Sequence, residues 1–299
     1  GGSSVSGGRN MEIEIKVPGS CGELVQGTKN GVPFLVTCPI NLYTTITVSK
    51  GTGRRQGFGA KSHIALQRIL RYLGETDFPY DMILTSELPI GKGMASSSAD
   101  IAAVCFAVAV TLERSLTAAE VSRIAAGIEP TDGVFFPGIV RLNHMTGECQ
   151  ESLGIFPPLK IAVFDAGGAI NTLEFHQRGD LDRLSRENEA QTSAALELLS
   201  DAANAEAIAE AATQSALANQ SILPKRDLED MIEIVREMGA LGINTAHSGT
   251  ISGVLFSPDA ADDFVKEQAF CLASRYPHLK YLQSVELISG GYSYKKGSE

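Results

Sequence analysis

The run Leu88-Pro89-Ile90-Gly91-Lys92-Gly93-Met94-Ala95-Ser96-Ser97-Ser98-Ala99-Asp100 holds two glycines and three serines. It lies between a strand-like segment (Met82, Ile83, Leu84) and an Ala/Val-rich helical segment from about Ala99 to Leu112. Glycine lets the backbone approach a ligand closely and take positive φ. The helix that follows directs its free N–H groups and the positive end of its dipole at the same place. In chemical terms this is a phosphate cradle. The serine hydroxyls add hydrogen bonds or reach a phosphate-bound Mg²⁺. A Gly/Ser turn that merely caps a helix has a similar composition. The hydroxyl run directly after the glycines is what favours the cradle.

Two better-known phosphate motifs do not fit. A dinucleotide fingerprint needs a later acidic residue in a βαβ unit, and its sixth position here is Ser96. The nearest Walker A candidate, Gly22 to Gly27, is followed by Thr28-Lys29, which reverses the required order.

Elements that position this turn can be read on both sides of it. Glu12 to Val17 alternates polar and apolar residues, and Leu42 to Ser49 is rich in Thr, Tyr, Val and Ile. Both read as strands, and residues 50–59 read as a loop. Lys61 to Leu73 has helical apolar spacing, 82–87 reads as a strand, and Thr117 to Ile128 opens with a Thr-x-x-Glu capping box. Later strands are expected at 139–142, 159–164, 252–256 and 281–288. Helices are expected at about 180–199, 203–219, 226–239 and 260–274. This mixture without a strict βαβ period predicts an α+β protein.

Composition narrows the partners. The chain has 299 residues and a formal net charge of −10, which argues against nucleic-acid binding. No apolar run approaches a bilayer-spanning length, and no signal peptide follows Met11, so a cytoplasmic protein with no membrane partner is expected. Gly1 to Asn10 is Gly/Ser-rich and reads as an expression-tag remnant. The five cysteines lack CxxC spacing and fit reduced thiols, with Cys21 and Cys38 as small packing residues. His63, His144, His176 and His278 have no ligand spacing, so no dedicated metal site is expected.

Pro89 to Ser98 resembles the ATP-binding motif of the GHMP kinases, roughly Pro-x-Gly-x-Gly-Leu-(Gly/Ala)-Ser-Ser-(Ala/Ser), with Met94 in place of Leu and Ala95 in place of Gly. Val17-Pro18-Gly19-Ser20-Cys21-Gly22-Glu23-Leu24 resembles the first motif of that family, with Ser20 where some members carry Lys. Gly242 to Thr250 sits where the family has its Gly-rich third motif, here in degenerate form. Within the family, Pro18 to Gly27, Cys38-Pro39-Ile40, Glu129-Pro130-Thr131-Asp132 and Asp165-Ala166-Gly167-Gly168 are most similar to the branch that phosphorylates L-threonine for the nucleotide loop of cobalamin.

That resemblance implies a two-lobe fold, with an N-terminal ATP-binding lobe at 11–155 and a ferredoxin-like C-terminal lobe at 156–299. It implies ATP and Mg²⁺ as cofactors, L-threonine as the small-molecule substrate, and a possible homodimer. Pro89, Gly91, Lys92, Gly93, Met94, Ala95, Ser96, Ser97 and Ser98 would bind the nucleotide. Ser96 or Ser97 would face the metal; Ser97 is assigned here, with Glu129 as the metal carboxylate. Asp132 is the expected base or hydroxyl-orienting group, though Pro130 to Gly133 is also turn chemistry. Glu23 is either a ligand for the substrate ammonium or a structural anchor. Gly167 and Gly168 would close over the substrate, and His247 would contact a phosphate or carboxylate. Two rivals stay open: a GHMP kinase for another small alcohol such as L-homoserine, and a catalytically silent nucleotide-binding relative.

Overall fold

The structure, a computed structural model, describes residues 11–168, 171–199 and 203–298; the tag-like segment 1–10 lies outside them. The chain opens with a long antiparallel hairpin of β1 (Met11–Lys29) and β2 (Val32–Lys50). Its turn, Asn30-Gly31, has φ of 52° and 78°. Two positive values are what a tight type I′ hairpin turn requires.

Both strands run much further than the expected 12–17 and 42–49. The reason is burial. Val17 to Val25 are covered without a break, so the polar/apolar alternation that marks a half-exposed strand is missing. Register shifts between Pro18 and Val25 absorb the Pro/Gly-rich stretch that reads as strand-breaking.

After β2 come β3 (Arg55–Gln56), α1 (Ala60–Leu73), β4 (Tyr80–Ser86), α2 (Ser96–Thr111), α3 (Ala118–Ala126), β5 (Ile139–Leu142) and β6 (Cys149–Gly154). Then follow β7 (Lys160–Asp165), α4 (Thr172–His176), α5 (Leu181–Glu187), α6 (Glu189–Leu198), α7 (Ala205–Ala218) and α8 (Leu228–Glu237). The chain ends with β8 (Gly242–Thr245), β9 (Ile251–Phe256), α9 (Asp262–Arg275), β10 (Lys280–Glu286) and β11 (Ser293–Ser298). The described strands form one sheet in the order β10-β7-β9-β8-β1-β2-β4-β3, with β11 against β1 and the β5–β6 hairpin against β2. All pairings among them are antiparallel except β3 with β4. This is the expected α+β class.

α2 is the central helix. Its Ala/Val/Ile side chains point in every direction, so it has no polar face to offer water and must be covered all round. β1, β2, α1 and α3 pack against it, and thirteen of its sixteen residues are buried. It starts at Ser96, earlier than the expected Ala99, because Ala95 takes a left-handed φ of 58° and turns the chain into the helix there. α3 carries the expected capping box, with Thr117 and Glu120 exchanging side-chain and backbone hydrogen bonds. The single helix expected at 180–199 is two, α5 and α6. They meet at Asn188, whose side-chain amide donates to Ala218 O and Ser221 Oγ, both at 2.8 Å.

Candidate active site

The phosphate loop is held by its carbonyls. Met94 O accepts from Ser20 N at 2.9 Å, Gly93 O from Gly22 N at 3.1 Å, and Lys92 O from Thr250 N and Ile251 N at 2.9 and 3.1 Å. The first and third motifs therefore clamp the second. Contact between them is close enough to demand glycine: a Cβ on Gly22, which has φ of +57°, would lie 2.7 Å from Ala246 N. Gly91 and Gly93 themselves take φ of 72° and 92°. The first turn of α2 has no side-chain cap. Its N–H groups and dipole are left for an oxyanion.

Three carboxylates face this loop across one small cleft, lined among others by Gly91, Gly93 to Ser98, Glu23, Glu129 to Asp132 and Ser248. Asp132 N donates to Ser98 Oγ at 3.0 Å, and Ser98 Oγ donates back to Asp132 Oδ2 at 3.4 Å. Burial pushes the Asp132 carboxyl up to about 8, helped by the negative charges of Glu23 and Glu129; the Ser98 hydroxyl opposes this. Such a group is a poised base near neutral pH.

Glu129 is buried at the end of α3. Its Oε2 makes no hydrogen bond beyond an ion pair with Lys61, and Lys61 Nζ also donates to Ser97 Oγ at 3.3 Å. One cation thus already sits within reach of both Ser97 and Glu129. A hydroxyl and a carboxylate that share a cation fit the few protein ligands of a phosphate-bound Mg²⁺.

Glu23 is anchored as well as cleft-facing. Its Oε2 accepts from His247 N at 2.8 Å and lies 3.2 Å from His247 Nδ1. Thr245 O, also an acceptor, is 3.1 Å from that Nδ1, so Nδ1 carries a proton. His247 Nε2 meets Ser215 Oγ at 2.9 Å, and Gln26 N donates to the same hydroxyl at 3.0 Å. His247 is buried, not a solvated loop residue. Beside it Lys225 donates to Ala246 O and Gly249 O at 3.0 and 2.8 Å, and burial pushes its ammonium down to about 8.

Lys92 and the Asp165–Gly168 turn come together away from the cleft. Lys92 Nζ pairs with Asp165 at 2.8 Å and donates to Gly168 O. Thr250 Oγ1 and Gly167 N donate to Asp165 Oδ1 at 2.7 and 2.9 Å. Burial pushes the Asp165 carboxyl up, but these hydrogen bonds and the Lys92 charge outweigh it and hold it below the usual range. Pro89, Lys92, Gly167 and Gly168 do not line the cleft.

Several lining groups escape sequence reasoning. His144 and His176, and Lys61 through its ion pair with Glu129, lie in no motif, and only the fold brings them to the site; Gln26 and Ser248 lie inside the segments 18–27 and 242–250, which assign them no role. Gln26, His144 and His176 also line a larger adjoining cavity of about 560 Å³, so they form a neck between the two spaces. Cys21 and Cys38 are buried in the core, and burial pushes the Cys21 thiol up to about 12.

Comparisons with known proteins bear on the family and the fold. The family described as GHMP kinases N terminal domain matches residues 60–136, which span α1 to Asp132. An L-threonine kinase of Citrobacter freundii is 32% identical over 264 residues, covering 83% of this chain and 88% of that protein. An L-threonine kinase of Salmonella typhimurium is 32% identical over 254 residues, covering 83% and 84%. In fold, the chain resembles the galactokinase of Lactococcus lactis with a TM-score of 0.67 at 14% identity, covering 95% of each chain. A glycine loop clamped by two flanking motifs, a carboxylate one hydrogen bond from that loop, and relatives aligned over most of the length lead to one conclusion: the chain belongs to the GHMP kinase superfamily and is a phosphotransferase with an alcohol acceptor.

Proposed function

We propose that the protein transfers the γ-phosphoryl group of ATP to the hydroxyl of L-threonine, giving ADP and O-phospho-L-threonine. The observation that carries the reading is the hydrogen-bonded pair of Ser98, on the first turn of α2, and Asp132. It puts a base within one residue's reach of the place where α2 would hold the phosphate.

Phosphoryl transfer asks little covalent work of a protein; it needs in-line positioning and charge neutralisation. The N–H groups at the start of α2 and the loop glycines would hold the phosphate oxygens. Asp132, poised near neutral pH, takes the proton from the threonine hydroxyl as the O–P bond forms. Ser97 and Glu129 are the residues that would hold Mg²⁺, which when bound neutralises charge on the phosphate oxygens. Lys61, paired with Glu129 in this structure, would then be released toward the nucleotide side. Glu23, fixed by His247, faces the acceptor with negative charge suited to the threonine ammonium. We place the ATP-binding part within 11–155 and the remaining elements in 156–299.

The two L-threonine kinases that align over most of this chain support threonine as the acceptor. A cytoplasmic supply of phosphothreonine to the nucleotide loop of cobalamin is the role that fits this product. No helix among the described residues is long and apolar enough to cross a membrane. The test is kcat/KM for ADP release with MgATP across L-threonine, L-serine, L-homoserine, mevalonate and galactose. Threonine should lead the panel; a clear lead for another alcohol would move the substrate, and ATP binding without turnover would favour a silent relative.

A further inference from the structure

The neck between the cleft and the larger cavity contains a polar atom, Nδ1 of His144, with no hydrogen-bond partner among the described residues. His144 is 6% exposed, and that Nδ1 is buried. The ring sits against His176, with centroids 5.2 Å apart. The backbone around it is rigidly set. His144 O accepts from Thr131 N at 3.0 Å, and Asn143 Oδ1 accepts from Met145 N and Thr146 N at 3.0 and 3.3 Å.

The protonation state follows from these surroundings. Burial, and the adjacent His176, push the imidazole down to about 3, so it is neutral through the working range. A neutral ring has one N–H and one lone pair. An orphaned buried N–H is rarer and costlier than an under-used acceptor. The lone pair therefore belongs on the buried Nδ1 and the proton on Nε2. His144 lines both spaces, so its Nε2–H is a donor that an acceptor bound in either space can satisfy.

We propose that His144 determines acceptor specificity, donating Nε2–H to a carboxylate oxygen of the amino-acid substrate whose hydroxyl lies at Asp132. This rests on the amino-acid kinase reading above. Charge sets the orientation. The cleft side holds Glu23, Glu129 and Asp132, which repel a carboxylate and attract an ammonium. The cavity side is lined by Arg178, Arg186 and Asp182; Arg178 pairs with Asp180, and the terminal nitrogens of Arg186 make no ion pair among the described residues, so a cation is left there for a carboxylate. The hydrogen bond from Thr131 N to His144 O puts the backbone of His144 beside the residue preceding Asp132. The γ-phosphate of ATP would be the other oxyanion in the cleft, and the test separates the two.

Wild type, His144→Phe and His144→Gln are assayed with L-threonine and with L-threoninol, which lacks the carboxylate, and ATP is varied separately. A hydrogen bond to a charged group predicts a rise in the threonine KM of about ten- to hundredfold for His144→Phe. Turnover of threoninol and the KM for ATP should stay within about threefold, since neither uses this bond. His144→Gln, which keeps a neutral donor, should recover most of the loss. Equal losses with both acceptors, or no loss, would overturn the proposal, and a rise confined to the ATP KM would assign the donor to the γ-phosphate instead. Should the phenylalanine variant not fold, His144→Leu takes its place, and the threonine-to-threoninol ratio within a folded variant decides. Wild type without threonine turnover would refute the kinase reading itself; wild type active with variants that do not discriminate would refute only the role of His144.

Discussion

The side of this cleft proposed for the nucleotide and the side proposed for the acceptor are built in opposite ways. The nucleotide side is one contiguous run, residues 89–98, whose glycines and serines fold locally into a turn and the first turn of α2. The acceptor side is assembled from distant pieces: Glu23 and Gln26 on β1, Asp132 after α3, His144 after β5 and His176 at the end of α4. A phosphate is a generic ligand that backbone N–H groups can hold, so a short motif suffices. An acceptor is recognised by shape and charge from several directions, which only tertiary structure supplies. The two sides should therefore fail differently when altered.

The largest effect is expected at their junction. Asp132→Asn keeps the size and the Ser98 contact but removes the base, and general-base loss lowers kcat by about 10²–10⁴-fold. The KM for ATP should change little, which a steady-state titration of both substrates would show. A collapse of ATP affinity with kcat intact would place Asp132 on the nucleotide side and break the comparison.

Next comes the loop itself. Gly93 takes φ of +92°, and a Cβ there would press on the Ala246 side chain and lie 3.2 Å from Gly249 Cα. Gly93→Ala should weaken ATP binding by about tenfold or more, since a strained φ costs on the order of 1–3 kcal/mol. The threonine KM measured at saturating ATP should hardly move. Ser97→Ala is expected to be milder: it should raise the Mg²⁺ concentration for half-maximal rate several-fold while leaving the ATP site folded, readable by metal titration at fixed ATP.

A further effect is on stability and has a definite sign. Asp132 is raised from 3.8 to about 8 in the fold, so between those values the unfolded chain binds fewer protons than the native one. Stability therefore falls as pH rises from about 4 through 8. Asp132→Asn lacks this penalty. Its melting temperature should exceed that of wild type at pH 8.5, and the gap should close toward pH 4. For the same reason kcat/KM of wild type should climb to a plateau above about pH 8 as the base ionises.

How much was legible in the sequence tracks the same division. The phosphate turn, the Thr117–Glu120 capping box and the apolar stripe of α1 are local patterns, and the structure forms each of them. The middle of the β1–β2 hairpin was not legible, because strands covered on both faces lose alternation. Asn188 divides a helix through side-chain bonds to residues 218 and 221, a tertiary cause with no local signature. Lys61 meets Glu129 across 68 positions, and His144 meets His176 across 32. Isolated lysines and histidines carry no spacing signal before the chain is folded. Lys92 shows the converse: it lies inside the motif, yet its ammonium turns to Asp165.

The most direct test of the central claim is the product. Purified protein is incubated with MgATP and L-threonine, and ADP and phosphorylated amino acid are quantified together by mass spectrometry. The account predicts O-phospho-L-threonine and ADP in equal amounts, both formed at least about a hundredfold more slowly by Asp132→Asn. ADP without phosphothreonine, or phosphothreonine formed undiminished by Asp132→Asn, would contradict it.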